Sequence, residues 1–339
     1  MRKKMILLAL TLFIGLSACG NDDKELPDEP GKEQGGNGGD EPENPDNPSG
    51  NEPVSWYVAT TGNDGNSGTL DSPLKSISKA LLRVNPGDTI FLREGAYHEF
   101  VTPTRSGEKG KLITLKSYPG ETAKIDGTGM TIKGWFSALV QLKSVQYMTF
   151  ENLHICNATN SDVNTDPEGV YINGVSRDIT FRNCKVYNIK STCLAGHNNG
   201  DWRSAHAFLV IGDDNGTPIR NLTIEKCEIY DMHTGTSETL TIAGNVDGFT
   251  IQDCEVHDVE NIGIIVAGGD NLNAGGNISV NYARNGVVRR NKVYRCSHQV
   301  SKDFWEGVYN NPAAYGAIGI YVCGGASTII EQNIVWECD

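Results

Sequence analysis

Apolar and polar residues alternate along short stretches of this chain, and one such stretch recurs several times. Its order is an apolar residue, two variable residues, Cys or Asn, one variable residue, Val or Ile, and a residue that is usually aromatic. The copies are Met148–Cys156, which is the weakest, Asp178–Ile189, Leu222–Met232, Phe249–Val259, Val287–Cys296 and Ile329–Cys338. The Cys or Asn position, which is Leu153 in the weakest copy, recurs at intervals of 31, 43, 27, 37 and 42 residues. A strand-like repeat with connections of varying length predicts a solenoid.

A second short strand precedes most copies of the repeat. These strands are Gly169–Ile172, Ala207–Ile211, Glu238–Ile242, Gly263–Val266 and Ile318–Val322. Alternate residues of a strand point to opposite faces, and equivalent positions of successive coils stack about 4.8 Å apart. We therefore expect Cys184, Cys227 and Cys254 to pack as small buried residues. Asn291 and Asn333 are expected to form a ladder of side-chain amides inside a turn.

The same stacking brings a column of rings to the outside of the repeat. Its members are Tyr187, Tyr230, His257, Tyr294 and Trp336. Two interpretations remain open, since the rings either stack on one another or form a platform for sugars. His257 is therefore a candidate substrate-binding residue.

The region before the repeats has a helical pattern. Leu74, Ile77, Ala80, Leu81 and Val84 lie on one face of the predicted helix, which Asn85–Gly87 ends. A short helix at this position is typical of a cap, which would cover the open end of a solenoid.

The ordered region also resembles a known family. Tyr57–Asp64, Asp71–Ile77, Pro86–Ile90 and Glu94–Tyr97 are similar to the N-terminal region of right-handed parallel β-helix proteins of the pectate lyase 9-like group. The resemblance implies an all-β fold, a right-handed parallel β-helix with a short N-terminal capping helix, over residues 55–339. Because the chain stops just after a repeat strand, we expect this domain to be incomplete at its C-terminus.

The first 54 residues are predicted to lie outside the fold. Residues 1–18 have a basic start and a short apolar run, as in a signal peptide. Leu16–Cys19 resembles a bacterial lipobox, and the acidic residues that follow resemble the export signal of Bacteroidetes surface lipoproteins. Residues 19–54 are acidic and rich in Gly and Pro, which predicts a disordered tether. We therefore expect lipidation at Cys19 and a surface-exposed lipoprotein of the outer membrane, although an ordinary secretory signal is the alternative.

Charge and cysteine spacing narrow the choice of partners. The net charge is -13, with no basic patch that would favour nucleic acid as a partner. The cysteines lack the spacing of a zinc site. A secreted β-helix with an acidic body is consistent with a glycan partner, most simply an acidic plant or host polysaccharide held through bridging Ca²⁺.

The resemblance implies a polysaccharide lyase that removes the C5 proton of a uronate. Such an enzyme commonly uses Ca²⁺ on several carboxylates and a lysine or arginine base. The family clusters aspartates around a strand in a pattern like Asp-Asp-Gly-x-Asp, with a lysine on a later coil. The equivalent strand here, Asn261–Ile265, and the next one, Ala317–Cys323, contain no carboxylate. The family aspartates therefore cannot be transferred to this chain.

Other polar residues flank the outer strands and are the candidates for chemistry. His206, Glu238 and Asn261 are expected to start neighbouring strands, so a histidine and a glutamate would share one face and could act as acid and base. Arg284 is a third catalytic candidate, before the fourth clear repeat. For each of these residues the alternative is a hydrogen bond that only stabilises a turn.

Two further sets of residues are candidates for binding. Asp213 and Asp214 are candidate ligands for Ca²⁺, and the alternative is a turn, of which Asp213–Gly216 has the composition. Trp202 lies on the long insertion 190–205, and Trp305 and Tyr309 lie on a second insertion, 300–315. Aromatic residues on long loops suit sugar stacking, or they fix the loop in place.

The sequence therefore supports a leading hypothesis and two alternatives. The leading hypothesis is a surface-anchored polysaccharide-degrading enzyme, a lyase that cleaves uronate-containing, pectin-type glycans by β-elimination. A glycoside hydrolase on the same fold is one alternative. The other is a non-catalytic, glycan-binding or adhesive lipoprotein, which the missing aspartate pattern favours.

Overall fold

A computed structural model describes residues 52–193, 203–268, 278–302 and 317–339. Residues 53–339 form one compact unit. Residues 1–51, with the predicted signal peptide, most of the predicted tether and Cys19, lie outside the described residues. Within the described part, no helix is both long enough and apolar enough to cross a membrane.

Parallel strands form three long sheets, and the chain visits the sheets in turn. The first sheet contains, in spatial order, β1 (Ser55–Val58), β2 (Thr89–Leu92), β4 (Ile113–Ser117), β7 (Gln146–Glu151), β11 (Arg177–Arg182), β14 (Ile219–Glu225), β17 (Val246–Gln252), β20 (Ala283–Arg289) and β23 (Ile329–Glu331). The second contains β6 (Ser137–Lys143), β10 (Pro167–Asn173), β13 (His206–Gly212), β16 (Glu238–Gly244), β19 (Ile262–Ala267) and β22 (Ile318–Cys323). The third contains β3 (Gly95–Tyr97), β5 (Ala123–Asp126), β8 (Leu153–Cys156), β12 (Lys185–Ser191), β15 (Glu228–His233), β18 (Glu255–Val259), β21 (Lys292–Cys296) and β24 (Ile334–Trp336), with β9 (Thr159–Asn160) beside β12. The predicted parallel β-helix is confirmed.

Short turns with a left-handed backbone join the first sheet to the third. Asn152 and Asn183 occupy these turns with φ of 57° and 52°, and Asp253 occupies the equivalent position with φ of 55°. Asn and Asp tolerate positive φ better than most residues because their short polar side chains bond locally. The polar residue in front of each Cys or Asn of the repeat therefore makes the sharp turn that brings the next strand onto another sheet.

The interior is filled by stacked side chains of equivalent positions. The rings of Phe150 and Phe181 are stacked with centroids 4.6 Å apart. Cys184, Cys227 and Cys254 are buried, and burial raises the pKa of the Cys227 thiol, which therefore stays protonated. The prediction that these cysteines serve as core packing is confirmed.

The predicted asparagine ladder is also present. Asn291 Nδ2 donates to Asn333 Oδ1 at 3.0 Å, and the Cys254 backbone N–H donates to Asn291 Oδ1 at 2.9 Å. The ladder therefore satisfies backbone groups inside a turn, which an apolar residue at this position could not do.

The N-terminal helix is shorter than its apolar pattern but lies where it was predicted. Helix α1 spans Ile77–Leu81, and the Ser76 side chain caps it by accepting from the Lys79 backbone N–H. Two oxygens of Glu99 accept from the backbone N–H groups of Ile77 and Ser78 at 2.7 and 2.9 Å. All five apolar residues of the predicted face are buried.

Candidate active site

A bend at the start of the second sheet turns a column of side chains to its outer face. Leu139 and Ala207 belong to the main core, whereas Ala138, one residue before Leu139, packs with the outward residues Tyr171 and Leu209. The strand register places Ala138 beside Glu168, and Glu168 beside His206. Glu168 and His206 are therefore on the outer face, although simple alternation from Val170 and Phe208 would place them inside.

Glu168, His206 and Glu238 lie together on this face, and the buried Asp166 carboxyl interacts electrostatically with Glu168 and His206. The four residues are called the outer-face cluster. His206 Nδ1 lies 3.0 Å from Glu168 Oε2, and His206 Nε2 lies 3.8 Å from Glu238 Oε2. Thr241, an outward residue, donates to Glu238 Oε2 at 3.3 Å. His206 and Glu238 are 4% and 6% exposed, and Glu168 is fully buried. The cluster therefore lies in a largely desolvated environment.

Burial and mutual charge shift the pKa values in the outer-face cluster. Burial raises the pKa of Asp166 to about 8, and the nearby Glu168 carboxylate adds to this effect. Burial also raises the pKa of Glu168, although His206 opposes it. For His206, burial lowers the pKa, but the carboxylates of Glu168 and Glu238 outweigh burial and raise it above its usual range. At neutral pH the imidazole is a cation and Asp166 carries a proton.

A second buried ion pair joins the segments that lead into the cluster strands. Arg203, three residues before His206, pairs with the fully buried Glu260. Glu260 Oε2 also accepts from the Gly235 backbone N–H at 2.7 Å, and the Arg203 carbonyl accepts from the Thr236 backbone N–H at 3.1 Å. Arg203, Gly235 and Glu260 precede β13, β16 and β19 respectively. The ion pair therefore fixes the entry points of the strands that carry His206 and Glu238.

The outward positions beside the cluster are mostly apolar. One group contains Ala138, Tyr171, Leu209 and Ile211, and a second contains Ala243, Ile262, Ile265 and Ala267. Together they are called the outer apolar groups. The cluster therefore combines charge with an apolar surround, as in many ligand sites.

The sequence-based pairing of His206 with Glu238 agrees with this geometry, but the expected position of Asn261 does not. Asn261 does not start a strand level with Glu238, because the register pairs Glu238 with Ile262. The Asn261 side chain instead donates to the Ser237 carbonyl at 3.0 Å. The one-residue shift arises because Asn261 has a positive φ of 64° and belongs to the turn.

Arg284 does not join the cluster. It lies on β20 in the first sheet, where its Nη1 donates to Asn245 Oδ1 at 3.0 Å and its Nη2 lies 3.3 Å from Asp247 Oδ2. Arg284 and His206 lie on different sheets, because consecutive strands of the chain belong to different sheets. The catalytic role of Arg284 is a prediction that this geometry does not favour.

His257 lies in a continuous stack of rings on the third sheet. Its ring centroid is 5.3 Å from that of Tyr230 and 4.9 Å from that of Tyr294, and the rings are nearly parallel. Its Nδ1 is 2.7 Å from Asp258 Oδ2. Of the two interpretations of the column, coil-to-coil stacking is present, and contact with sugar stays a prediction.

The two aspartates proposed for Ca²⁺ accept hydrogen bonds from neighbouring N–H groups. Asp213 accepts from the Gly174 backbone N–H at 2.8 Å and the Asn173 side chain at 3.2 Å. Asp214 Oδ1 accepts from the backbone N–H groups of Gly216 and Thr217 at 2.8 and 2.6 Å. Calcium prefers six to eight oxygen ligands, and the described residues contain no group of three or more acidic, histidine or cysteine side chains arranged for a metal. These two residues do not fit a complete calcium site, and calcium binding stays a prediction.

Three predicted substrate-binding residues, Trp202, Trp305 and Tyr309, lie outside the described residues.

The sequence analysis did not predict two members of the outer-face cluster, Glu168 and Asp166, because Thr165–Glu168 has the composition of a loop. One signal could have found Glu168. It precedes the core residue Val170 by two positions, as His206 precedes Phe208.

A cavity of about 650 Å³ lies elsewhere on the solenoid, against the long turn that follows β4. Its lining includes Lys116, His154, Lys185 and Glu228 and shares no residue with the outer-face cluster. Lys185 and Glu228 form an ion pair of 2.6 Å. This cavity and the outer-face cluster are therefore separate features.

Comparison with known proteins agrees with the fold. A family model described as "Pel9A-like, right handed beta helix region" matches residues 56–260. Uncharacterized protein YwoF of Bacillus subtilis is 31% identical over 284 residues, which cover 84% of this chain and 56% of that protein. Pectate lyase PEL9 of Emericella nidulans is 30% identical over 142 residues, covering 38% of this chain and 33% of that protein. The chain thus spans about half the length, or less, of the curated relatives it matches.

A solved structure shows the same fold. The GH136 lacto-N-biosidase from Eubacterium ramulus superposes with a TM-score of 0.63 and 18% identity, over 84% of this chain and 52% of that chain. Three parallel sheets wound into one solenoid define a parallel β-helix protein. Since the family model matches residues 56–260, the chain belongs to the Pel9A-like right-handed β-helix family.

Proposed function

We propose that this protein is a polysaccharide-degrading enzyme, a lyase that cleaves uronate-containing, pectin-type glycans by β-elimination. The observation that carries the proposal is the outer-face cluster, in which a charged histidine lies between two glutamates on the outside of the second sheet. Family membership and the similarity to a pectate lyase support the substrate class. Buried groups with strongly perturbed pKa values are frequent at catalytic sites.

In this proposal, Glu238, His206 and Glu168 each have one role in the β-elimination. Glu238 takes the C5 proton, a C4–C5 double bond forms, and the bond from C4 to the departing sugar oxygen breaks. The His206 imidazolium gives that oxygen a proton from Nε2, and the proton on Glu238 then returns to His206. Glu168 accepts from His206 Nδ1 and so holds the ring in its orientation. A buried acid and base fixed by their neighbours need little reorganisation during the reaction.

Hydrolysis is the second candidate, and one observation favours it. The Asp166 carboxyl keeps its proton near neutral pH, because its pKa is raised to about 8. Glycoside hydrolases pair a protonated carboxyl with a carboxylate, and Glu238 would be the second member here. A fold neighbour is described as a lacto-N-biosidase. The two chemistries give different products, since only elimination leaves a double bond.

The test is incubation with a panel of pectic and other uronic polymers, with and without Ca²⁺ and a chelator. Elimination predicts products that absorb in the ultraviolet, whereas hydrolysis predicts new reducing ends without that absorbance. Silence across the panel, with retention in glycan affinity gels, would instead support the non-catalytic binding protein. The comparison of activity with Ca²⁺ and with the chelator tests the predicted cation at Asp213 and Asp214.

We also propose that the protein is anchored to the outer membrane at the cell surface through a lipid on Cys19. The lipobox-like Leu16–Cys19 supports this. Cells that express the full chain should incorporate labelled fatty acid, and Cys19→Ala should abolish the label and release the protein from the membrane fraction. Unchanged membrane association of Cys19→Ala would contradict the anchor.

A further inference from the structure

The cavity beside the long turn after β4 extends along the solenoid axis and is called the turn trough. Its floor contains Asn152, Asn183 and Lys226, which occupy the left-handed turn position of three successive coils. Tyr118–Thr122, the longer turn of the preceding coil, lines the end nearest β4. Lys116, on β4, and Lys226, after β14, are three coils apart, which is about 14 Å at about 4.8 Å per coil. The turn trough therefore matches a linear ligand that lies along the axis.

Positive charge exceeds negative charge in the lining of the turn trough. The charged side chains there are Lys116, Lys185, Lys226, Glu121 and Glu228. Both carboxylates already have partners, since Glu228 lies 2.6 Å from Lys185 and Glu121 lies 2.6 Å from Arg93. Among the ion pairs of the described residues, none includes Lys116 or Lys226. These two lysines are therefore the cations of the lining that a bound carboxylate can reach without displacing an internal partner.

The carboxylates nearest to Lys226 are held by other cations. A hydrogen bond from Arg182 is the main cause of the lowered pKa of Glu225, and Lys226 makes a smaller contribution. Asp253 is in the same position, because its lowered pKa results mainly from its hydrogen bond with Arg290. The two arginines donate to these carboxylates at 2.6 and 2.7 Å. Lys226 therefore acts on both groups from a distance and keeps its own donors for a ligand.

The turn trough also contains uncharged hydrogen-bonding groups. Burial lowers the pKa of His154, and the charges of Lys185 and Lys124 lower it further, although Glu228 acts in the opposite direction. The imidazole is therefore neutral at pH 7, so that one ring nitrogen donates and the other accepts. The two asparagine amides of the floor add further donors and acceptors. Such groups suit the hydroxyls of a sugar, whereas the lysines suit its carboxylate.

We propose that the turn trough binds a short linear chain of uronate sugars, whose carboxylates pair with Lys116 and Lys226. One small anion cannot contact both lysines across three coils, so the ligand carries carboxylates at intervals along its length. The cavity volume of about 650 Å³ lies within the range that ligand sites usually have. The turn trough follows the turns between the first and third sheets, whereas the outer-face cluster lies on the second sheet. It is therefore a second glycan site, and it does not depend on catalysis at the cluster.

The first test compares four ligands by isothermal titration calorimetry. Trigalacturonate, galacturonate, the neutral trisaccharide galactotriose and inorganic tripolyphosphate are titrated, with a chelator present, into the full chain carrying Glu238→Gln, which prevents turnover at the cluster. We expect trigalacturonate to bind about tenfold or more tightly than each of the other three, because it alone combines several carboxylates with hydroxyls. Equal affinity for any of the other three, or no binding of trigalacturonate, would overturn the inference.

A matched set of lysine variants tests the assigned contacts. Lys116→Gln and Lys226→Gln should each weaken the binding of trigalacturonate several-fold, since each removes one cation from the turn trough. Lys292→Gln is the control, because Lys292 lies on β21 of the third sheet and does not line the cavity. Its affinity should equal that of the parent chain. Unchanged affinity in both Lys116→Gln and Lys226→Gln would contradict the inference.

Chemical coupling locates the bound ligand independently of affinity. A carbodiimide joins a ligand carboxylate to a lysine amine that lies against it, and peptide mass spectrometry identifies the lysine. We expect trigalacturonate on Lys116 and Lys226 and not on Lys292, whereas coupling confined to other lysines would overturn the inference. The proposed function is tested separately, by product formation. A wild-type chain that couples at these lysines without forming products from any glycan would overturn the enzyme proposal alone, and the reverse result would overturn this one alone.

Discussion

His206 shows how neighbouring residues set the state of a single side chain. Its ring lies between two carboxylates, with Nδ1 3.0 Å from Glu168 and Nε2 3.8 Å from Glu238. Burial alone would keep the imidazole neutral, yet the two carboxylates outweigh burial and raise its pKa. The ring is thus a cation with one nitrogen held by a fully buried partner and the other directed at Glu238. A histidine that merely fills a core would lack these two charged partners.

Because of Asp166, the free energy of unfolding should fall as pH rises. Its pKa is raised to about 8 in the folded chain, so the folded state binds a proton more tightly than the unfolded state does. The resulting stability is fully present below the unfolded pKa of about 3.9 and is lost as pH rises through the folded pKa. Asp166→Asn should remove a slope of about 1.4 kcal/mol per pH unit between these limits. Urea unfolding at several pH values measures the slope, and an identical slope in the variant would refute the assignment.

Arg203 should be essential for stability because its partner is buried. Arg203→Ala leaves the fully buried Glu260 without its cation, which typically costs about 3–5 kcal/mol. Arg295→Ala is the control, since Arg295 pairs with Asp258 at an exposed site, where ion pairs contribute little. Urea unfolding compares the two variants. Equal losses would show that the Arg203 pair contributes no more than a surface pair.

At the scale of elements, the asparagine ladder should be a major stabiliser of the later coils. Asn291→Ala removes the acceptor of the buried Cys254 N–H and the donor to Asn333. A buried donor without a partner costs about 1–3 kcal/mol. Asn164→Ala, in an exposed turn, is the control and should change stability little. Matching free energies of unfolding for the two variants would contradict the role of the ladder.

The ring column on the third sheet should serve packing and not glycan binding. The faces of the His257 ring are covered by Tyr230 and Tyr294, which leaves mainly ring edges for a sugar. His257→Ala should therefore lower stability by about 0.5–1.5 kcal/mol beyond the loss of buried area. Retardation in glycan affinity gels should stay unchanged. Loss of retardation with unchanged stability would restore His257 as a substrate-binding residue.

The repeat made most of these elements predictable, and the cluster only in part. Equivalent positions of a solenoid occupy equivalent environments, so the repeat was sufficient to predict the core column of cysteines and the asparagine ladder, and to place the ring column on the outside. His206 and Glu238 followed from the same spacing. Glu168 was not predicted, because a proline at position 167 suggested that the strand starts after it. Asp166 was not predicted because it lies before the strand and outside its alternating pattern. Arg203 and Glu260 were not predicted because a pair 57 residues apart leaves no periodic signal.

At the scale of the whole molecule, the outer faces of the three sheets carry different kinds of side chain. The first and third sheets carry exposed ion pairs such as Arg182–Glu225 and Arg295–Asp258 on their outer faces. The second sheet carries the buried cluster and the outer apolar groups instead. A solenoid presents equivalent positions in rows, so a site on one sheet can meet several units of a linear polymer. The second sheet is therefore the side on which we place the glycan.

The most direct test of this account is the rate of product formation by the full chain and by Glu238→Gln, with Glu255→Gln as the control. Both variants replace a carboxylate with an amide of the same shape, but only Glu238 lies in the outer-face cluster. On a pectic polymer from which the wild type forms products, we predict that Glu238→Gln loses about 10²–10⁴-fold in rate, as expected for loss of an acid–base group, while Glu255→Gln retains the wild-type rate. Equal rates for wild type and Glu238→Gln would contradict the assignment of catalysis to this cluster.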